Sequence, residues 1–430
     1  MPSVLTVVMA GGQGERLQPL TRERAKPAVP FGGAYRIIDF TLANCLHSGL
    51  RQVVVLTQYK SLSLQRHLQH VWGDWHRCRG EYVDVLPPQQ RRGRRWYEGT
   101  ADAVYQNLYT IERSDVDLVL VLSGDHIYRM DYQPLIAAHL EKQADVTVAC
   151  VPIPLAEATQ FGVMQIDADG RVMQFKEKQP ATRGLPHDPA RCLGSMGVYV
   201  FGRKFLCHVL HDDAQDRHSQ HDFGRNILPK LIDEAEVFAY SFQDPVTKQS
   251  GYWRDVGTLE SYYDANMELL STKPAIDLYD RRWCIPRCMS SLPPPLVRDT
   301  GGIQGLPSTL IRNALIGAGC VITDAEVEHS ILAEGVSVER DARVADSLLF
   351  EDASVGAGAC LRRVIVEKWV RIPAGVTIGL DHEKDRARGL TVTASGVVVV
   401  PKEHLFEEPA APTAFIAKPA TTTRHAVLTG

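Results

Sequence analysis

Val4-Leu5-Thr6-Val7-Val8-Met9, followed at once by Ala10-Gly11-Gly12-Gln13-Gly14-Glu15-Arg16-Leu17, decides how this 430-residue chain folds. The first six residues form a short, continuous apolar run, the pattern of a strand buried on both faces. The residues after it form a glycine-rich turn, where backbone N–H groups can approach a phosphate closely. The string is not a Rossmann G-x-G-x-x-G, because Leu17 holds the third glycine position. It is not a Walker A loop, because no Gly-Lys-Ser/Thr follows. It does deliver Arg16 to the end of the strand. Lys26-Pro27 comes ten residues later, preceded by Arg22 and Arg24. A guanidinium beside an ammonium suits a polyphosphate. A glycine turn with a solvated basic loop is the competing reading, and it leaves this convergence unexplained.

Outward from this stretch, apolar runs alternate with helical patterns. Gln52 to Leu56, Asp117 to Leu122, Asp145 to Val151 and Met196 to Phe201 read as further strands. Asp39 to Ser48, Ala101 to Arg113 and Gln133 to Lys142 read as helices between them. This alternation predicts an α/β domain with a doubly wound, mostly parallel, Rossmann-like sheet over 1–270. Residues 271–306 hold Pro274, Pro286, Pro293, Pro294, Pro295 and a Gly301-Gly302 pair, which predicts an extended connection. From 307 to 406, apolar residues recur every six positions, as in Leu332, Val338, Val344 and Phe350, or Val366, Ile372 and Ile378. Small residues lie between them. A helix would recur near 3.6 and a plain strand near 2. Period six is the hexapeptide signature of a parallel β-helix, expected here to be left-handed. The phase slips between runs, so irregular coils are expected. Residues 407–430, rich in Ala, Thr and Pro, read as a flexible tail.

Composition narrows the function classes. The chain is 44% hydrophobic and 23% charged with a formal net charge of −4, which argues against a nucleic-acid or membrane-surface binder. Nine cysteines without a Cys-x-x-Cys pair point to reduced thiols in a cytoplasmic protein. The N-terminus lacks a signal-peptide pattern, and no apolar stretch is long enough to span a bilayer. The last of 14 tyrosines is Tyr279, so the final third builds its core without them. Stacked β-helix rungs would bury a narrow aliphatic column with little room for rings.

Two aspartates stand out. Asp125, in Ser123-Gly124-Asp125-His126, follows a buried strand, where open α/β sheets bind ligands. A carboxylate facing a polyphosphate invites Mg²⁺. A turn aspartate capping the next segment is an equal reading. Asp255, in Trp253-Arg254-Asp255-Val256-Gly257-Thr258, is either a second metal ligand or an anchor at a helix N-terminus. Glu177-Lys178 reads as solvated unless Lys178 meets a second phosphate and Glu177 meets sugar hydroxyls. The run Arg91-Arg92-Gly93-Arg94-Arg95-Trp96 reads as a mobile loop, given the global charge. Cys284 and Cys288 read as incidental, and the paired histidines 208, 211, 218 and 221 read as surface residues lacking metal-site partners.

These strings together resemble the sugar nucleotidyltransferases, whose motif runs G-G-x-G-x-R-L and then K-P. Arg24 to Gly33, Tyr35 to Phe40, Trp96 to Ala103, Ser123 to Tyr128, Ser195-Met196-Gly197 and Tyr252 to Gly257 bring the resemblance closer, to the bacterial glucose-1-phosphate adenylyltransferases. It covers roughly Val4 to Val400. The resemblance implies a homotetramer making ADP-glucose and pyrophosphate from ATP and glucose 1-phosphate, the first committed step of glycogen synthesis. It implies Asp125 and Asp255 as Mg²⁺ ligands, with Asp125, Arg16 and Lys26 catalytic. It implies Gly11, Gly12, Gln58, Tyr97 and Gly99 on the nucleotide, and Gly162, Glu177, Lys178 and Ser195 on glucose 1-phosphate. It also implies allosteric control by phosphorylated metabolites, with Arg24, Arg36 and Arg386 at an effector site between the domains. Three departures stand out. Gln179 replaces the family's proline after Glu-Lys. Glu23 and Pro30 replace a lysine and a histidine of enteric members, which argues against fructose 1,6-bisphosphate as activator. Other readings are a nucleotidyltransferase for another sugar or base, a non-catalytic regulatory subunit, and an acyltransferase using His329 or His382.

Overall fold

In a computed structural model of the protein, the described residues are 2–73, 80–89, 96–180, 184–185, 188–244, 250–287, 290–301 and 309–406. Arg91 to Arg95, Cys288, Gly302 and the tail lie outside them.

Strand Val4–Met9 pairs in parallel with Gln52–Leu56 on one side and Leu118–Ser123 on the other. Tyr82–Leu86 extends the parallel block beyond Gln52–Leu56. The register aligns Met9 with Leu56 and Ser123, so three strands end at one edge and their loops gather there. The sheet has nine strands among the described residues and is mixed. Arg191–Gly202 runs antiparallel to Leu118–Ser123 and leads on to Gly162–Ile166 and Val172–Glu177. The long apolar runs of this half report burial on both faces rather than strand direction, so the sequence pattern marks the strands without orienting them. Helices cover both faces. Val8, Val53, Val55, Leu120 and Leu122 pack under helices Ile37–His47, Leu62–Trp72 and Gln133–Glu141. Their neighbours Leu5, Val7, Val54, Val119 and Val121 face helices Arg203–Asp213 and Leu228–Glu234. The helix expected over 101–113 is two helices, Thr100–Tyr105 and Leu108–Arg113, with buried Gln106 and Asn107 between them.

The residues after Ser271 are not a free strap. The Trp283 ring stacks on His47 at 4.5 Å, the Arg129 guanidinium lies 4.8 Å from that ring, and Arg129 pairs with Asp280 at 2.9 Å. These contacts hold the connection against the N-terminal domain.

The C-terminal domain stacks short parallel strands into three sheets, giving the parallel β-helix. Ile322, Val338, Val355 and Ile372 form one inward column. Val327, Val344, Leu361 and Ile378 form the second, and Leu332, Leu349, Val366 and Val400 the third. The register sets successive rungs mostly seventeen residues apart, not eighteen. The missing residue is lost at one corner, where His329, Asp346 and Arg363 stack with φ of 44°, 49° and 56°. Left-handed residues also turn the other corners, at Gly335, Asp352 and Trp369 and at Asp341, Gly358 and Gly375, but at most two residues join the strands here where four join them there. The serine after the corner residue in each of two coils then bonds the next coil: Ser347 N–H donates to Ser330 Oγ at 3.1 Å, and Val364 N–H to Ser347 Oγ at 3.2 Å. This corner is the cause of the phase slip in the sequence.

The third sheet is two-sided. Ile331, Leu348, Ile365 and Val399 alternate with its inward column and pack on Leu17, Phe31, Ile37, Phe40 and Tyr262 of the N-terminal domain. The seam is thus an extended apolar contact between a flat column and the segment carrying the glycine turn.

Candidate active site

A cavity of about 660 Å³ opens where the parallel strands end. Ala10, Gly11 and Gly12 form its floor. Gly14 has φ of 66°, and a Cβ there would sit 2.9 Å from the Lys26 Cβ. Glycine therefore serves two needs at once, a left-handed turn and the close approach of the Lys26 segment.

The charged centre is compact. The Lys26 ammonium lies 2.7 Å from Asp255 Oδ1 and 3.1 Å from Asp125 Oδ2. Arg16 Nη2 lies 3.7 Å from Asp255 Oδ2. The Ser123 hydroxyl donates to Asp125. Burial pushes the Lys26 pKa down, but Asp125 and Asp255 outweigh it and leave the ammonium above its ordinary value. Burial opposes ionisation of Asp125, and Lys26, His126 and Ser123 overcome it to hold the carboxyl well below the usual range. Two alternatives fall away here. Asp125 meets Lys26 and Ser123 rather than capping a turn. The helix Leu259–Met267 is capped by Thr258, whose hydroxyl accepts from Ser261 N–H, and not by Asp255.

Asp125, His126 and Asp255 present ligand atoms within 4.8 Å of one another. Two carboxylates beside one imidazole make a donor set that fits a divalent cation. His126 Nδ1 is buried without a partner among the described residues, and its ring meets Trp253 edge-on at 5.0 Å.

Each of the thirteen residues expected at the catalytic, substrate and metal sites lines this one cavity. On the Gln52–Leu56 side, Tyr97 N–H donates to Gln58 Oε1 at 2.7 Å, and Gln58 Nε2 donates back to Tyr97 O at 3.4 Å. This clamp holds the Tyr97 to Gly99 stretch against the glycine turn. On the far side of the sheet, Gly162, Glu177, Lys178 and Ser195 line the same space. Glu177 Oε2 would lie 2.6 Å from a Cβ on Gly162 and 2.5 Å from one on Gly224, so two glycines make its slot. Burial first, then Asp222, raises the Glu177 pKa, while Lys178 opposes. Lys178 takes φ of 52° and reaches back to Glu177 at 3.8 Å.

Sequence reasoning missed several lining residues. Asp222 accepts from Thr100 Oγ1 at 3.0 Å and from Gly224 and Arg225 N–H, tying the two helix starts beside the Glu177 wall. Asp222-Phe223-Gly224 carried a signal, an acidic cap before a helix, but nothing linked it to Glu177. His126 directly follows Asp125 and Trp253 stands two residues before Asp255, yet neither carried a signal of its own. His221 is not a surface residue: its Nδ1 bonds Asp213 at 2.8 Å, and its carbonyl accepts from Ala101 N–H.

The three arginines expected to be allosteric lie outside the cavity. Arg24 forms a buried ion pair with Glu367 of the β-helix at 2.8 Å. Arg36 donates to Ala28 O and Ser63 Oγ, and Glu351 lies close enough to support its charge. Arg386 is exposed on helix His382–Ala387. His329 pairs with Asp346, and neither His329 nor His382 lines the cavity. No described helix is long and apolar enough to cross a membrane.

Comparison with known proteins bears on this geometry. The family described as nucleotidyl transferase matches residues 5–272, and the GlmU-like C-terminal hexapeptide family matches 297–400. Glucose-1-phosphate adenylyltransferase of Rhodopirellula baltica is 48% identical over 417 residues, 95% of this chain and 92% of that one. Glucose-1-phosphate adenylyltransferase 2 of Vibrio cholerae is 47% identical over 94% of this chain and 99% of its own length. Glucose-1-phosphate adenylyltransferase of Koribacter versatilis is 45% identical over 95% of this chain and 98% of its own length. Full-length similarity of this degree, over both domains, places the chain: it belongs to the glucose-1-phosphate adenylyltransferase family.

Proposed function

We propose that this chain joins ATP and glucose 1-phosphate to give ADP-glucose and pyrophosphate, the first committed step of glycogen-type synthesis. One observation carries the reading. A centre of two carboxylates and two cations sits between a glycine turn with the Gln58–Tyr97 clamp on one side and the Glu177–Lys178 slot on the other. Such a cavity suits two phosphorylated substrates meeting head to head.

In the reaction, an oxygen of the sugar phosphate bonds to the α-phosphorus of ATP. The bond from that phosphorus to the bridging oxygen breaks, and its electrons leave with pyrophosphate. The protein's part is positioning and charge stabilisation. Lys26 and Arg16 bear on the α-phosphate and the departing pyrophosphate. Gly11 and Gly12 offer backbone N–H groups to the nucleotide, with Gln58, Tyr97 and Gly99 shaping its side. Glu177, Gly162 and Ser195 hold the sugar hydroxyls, and Lys178 its phosphate. Asp125 and Asp255 would hold Mg²⁺, which when bound supplies positive charge to the crowded phosphates.

On this reading 1–270 is the catalytic domain, 271–306 the connection and 307–406 the regulatory β-helix. The chain works in the cytoplasm as a homotetramer under phosphorylated effectors. Arg24, Arg36 and Arg386 are the effector contacts, and an anion reaching Arg24 must compete with Glu367.

Pyrophosphate release tests the reading. It should require ATP with glucose 1-phosphate. Faster release with UTP or GTP, or with glucosamine 1-phosphate, would overturn the substrate assignment.

A further inference from the structure

We propose that Glu367 of the β-helix is a positioning residue for Lys26, acting through Arg24; the inference rests on the adenylyl-transfer reading above. Arg24 and Lys26 are two residues apart on one buried segment, 24–28, whose side chains diverge to different domains. The Lys26 ammonium enters the cavity and bridges Asp125 and Asp255. The Arg24 guanidinium enters the seam and meets Glu367 Oε2 at 2.8 Å, with Arg24 5% and Glu367 2% exposed. Only Ala25 separates Arg24 from Lys26, and it caps a single tight turn, Lys26–Ala28, held by Ala28 N–H to Ala25 O at 2.9 Å and Val29 N–H to Lys26 O at 3.0 Å.

The Glu367 end is rigid. Its own N–H bonds Val400 O at 3.1 Å, and its Oε2 also accepts Lys368 N–H at 3.0 Å. Its backbone is therefore part of the stacked coils. Arg24 Nη1 has no partner among the described residues, so Glu367 is the contact that fixes the guanidinium. Arg24 directly precedes the cap of this turn and Lys26 is its first residue, so a clamp on Arg24 reaches Lys26 through the one intervening residue, Ala25. Lys26 must meet phosphate oxygens within tenths of an ångström, and misplacement of about 1 Å costs up to about 100-fold in rate. The β-helix thus supplies a residue to the reaction without entering the cavity.

The test is a set of full-length variants assayed by pyrophosphate release and by thermal unfolding. Glu367→Gln should lower kcat roughly tenfold or more, with KM for both substrates changed by less than about threefold, because Lys26 acts on the transition state. Glu367→Asp should recover part of the loss. In a Lys26→Gln background, Glu367→Gln should have no further effect on kcat. Tyr263→Phe removes another seam bond, Tyr263 Oη to Asp346 O at 2.6 Å, and should leave kcat within about twofold. If Glu367→Gln fails to fold, Arg24→Lys keeps the charge and reads the same kcat loss. A folded Glu367→Gln with parental kcat, multiplicative effects with Lys26→Gln, or an equal loss in Tyr263→Phe overturns the inference alone. A parent that turns over no pair of nucleotide and sugar phosphate overturns the activity reading together with it.

Discussion

Replacing Lys26 with Met removes a charge while keeping the volume of a buried side chain. The ammonium now offsets two carboxylates at 2.7 and 3.1 Å and is nearly inaccessible. Without it, Asp125 and Asp255 face each other with ligand atoms inside 4.8 Å. Two like charges at that separation repel by about 3.5 kcal/mol at an effective dielectric of about 20. Breaking a buried pair by removing one partner costs about 3–5 kcal/mol. The two figures agree, so a loss of about 3–4 kcal/mol is expected at pH 8 in chelator. The sign with pH follows from the shifts. The Asp125 carboxyl is held low, so its contribution is present above its ordinary value of 3.8 and is lost only as pH falls through the depressed folded value. The Lys26 contribution is complete below 10.5 and is lost as pH rises through the folded value. In the variant, the paired carboxylates instead ionise reluctantly, so its deficit should shrink as pH falls from 8 toward 4. Added Mg²⁺ should restore part of the stability, while kcat stays depressed by about 10²–10³. Thermal melts at pH 8 and pH 5, with chelator and with Mg²⁺, provide the check. A variant that melts with the parent at pH 8 in chelator, or whose deficit ignores pH and Mg²⁺, would refute the charge argument.

Asp125→Asn should abolish turnover and lower the thermal midpoint at pH 8, since it removes an ionised partner of Lys26; near-normal rates with Mg²⁺ would remove Asp125 from the metal site. Gly162→Ala places a methyl 2.4 Å from the Phe175 ring and 2.6 Å from Glu177, so KM for glucose 1-phosphate should rise about tenfold or more while KM for ATP holds. Initial rates with each substrate varied in turn read this split. Ile365→Ala, at a fully buried point of the seam, should cost about 2–5 kcal/mol by denaturant unfolding, chiefly through the cavity left. Glu23→Lys should alter activator preference, and unchanged activation curves across a panel of phosphorylated effectors would count against that effector surface.

Local features were legible in the sequence where one short string held both the strand and its chemistry. Val4–Met9 and Gln52–Leu56 have the bounds that the apolar runs gave them. Lys26, Asp125 and Asp255 meet as their motifs implied. Strand direction was not legible, because burial on two faces looks alike in parallel and antiparallel neighbours. The break at Gln106–Asn107 was hidden because apolar spacing continues across it. The coil length was hidden by the left-handed corner at His329, Asp346 and Arg363, residues that spacing alone marks as ordinary turns. Asp222 and Glu367 were silent for a different reason. Their partners, Thr100 and Arg24, lie 122 and 343 positions away, and only the fold brings them together.

The seam has a ruler-like property. The column Ile331, Leu348, Ile365 and Val399 repeats the same chemistry at each rung, about 4.8 Å apart. Greasy contact alone would accept the catalytic domain one rung up or down at small cost. Arg24 ends that degeneracy. One coil before Glu367 the equivalent position is Phe350, and one before that is Ala333. A slip of one rung in that direction would bury a guanidinium against a phenyl ring, and of two rungs against a methyl group, leaving its charge unanswered. The single carboxylate at 367 therefore works as an index mark. It would make insertion or deletion of a whole coil, otherwise the mildest change such a stack can undergo, a change that the catalytic domain registers.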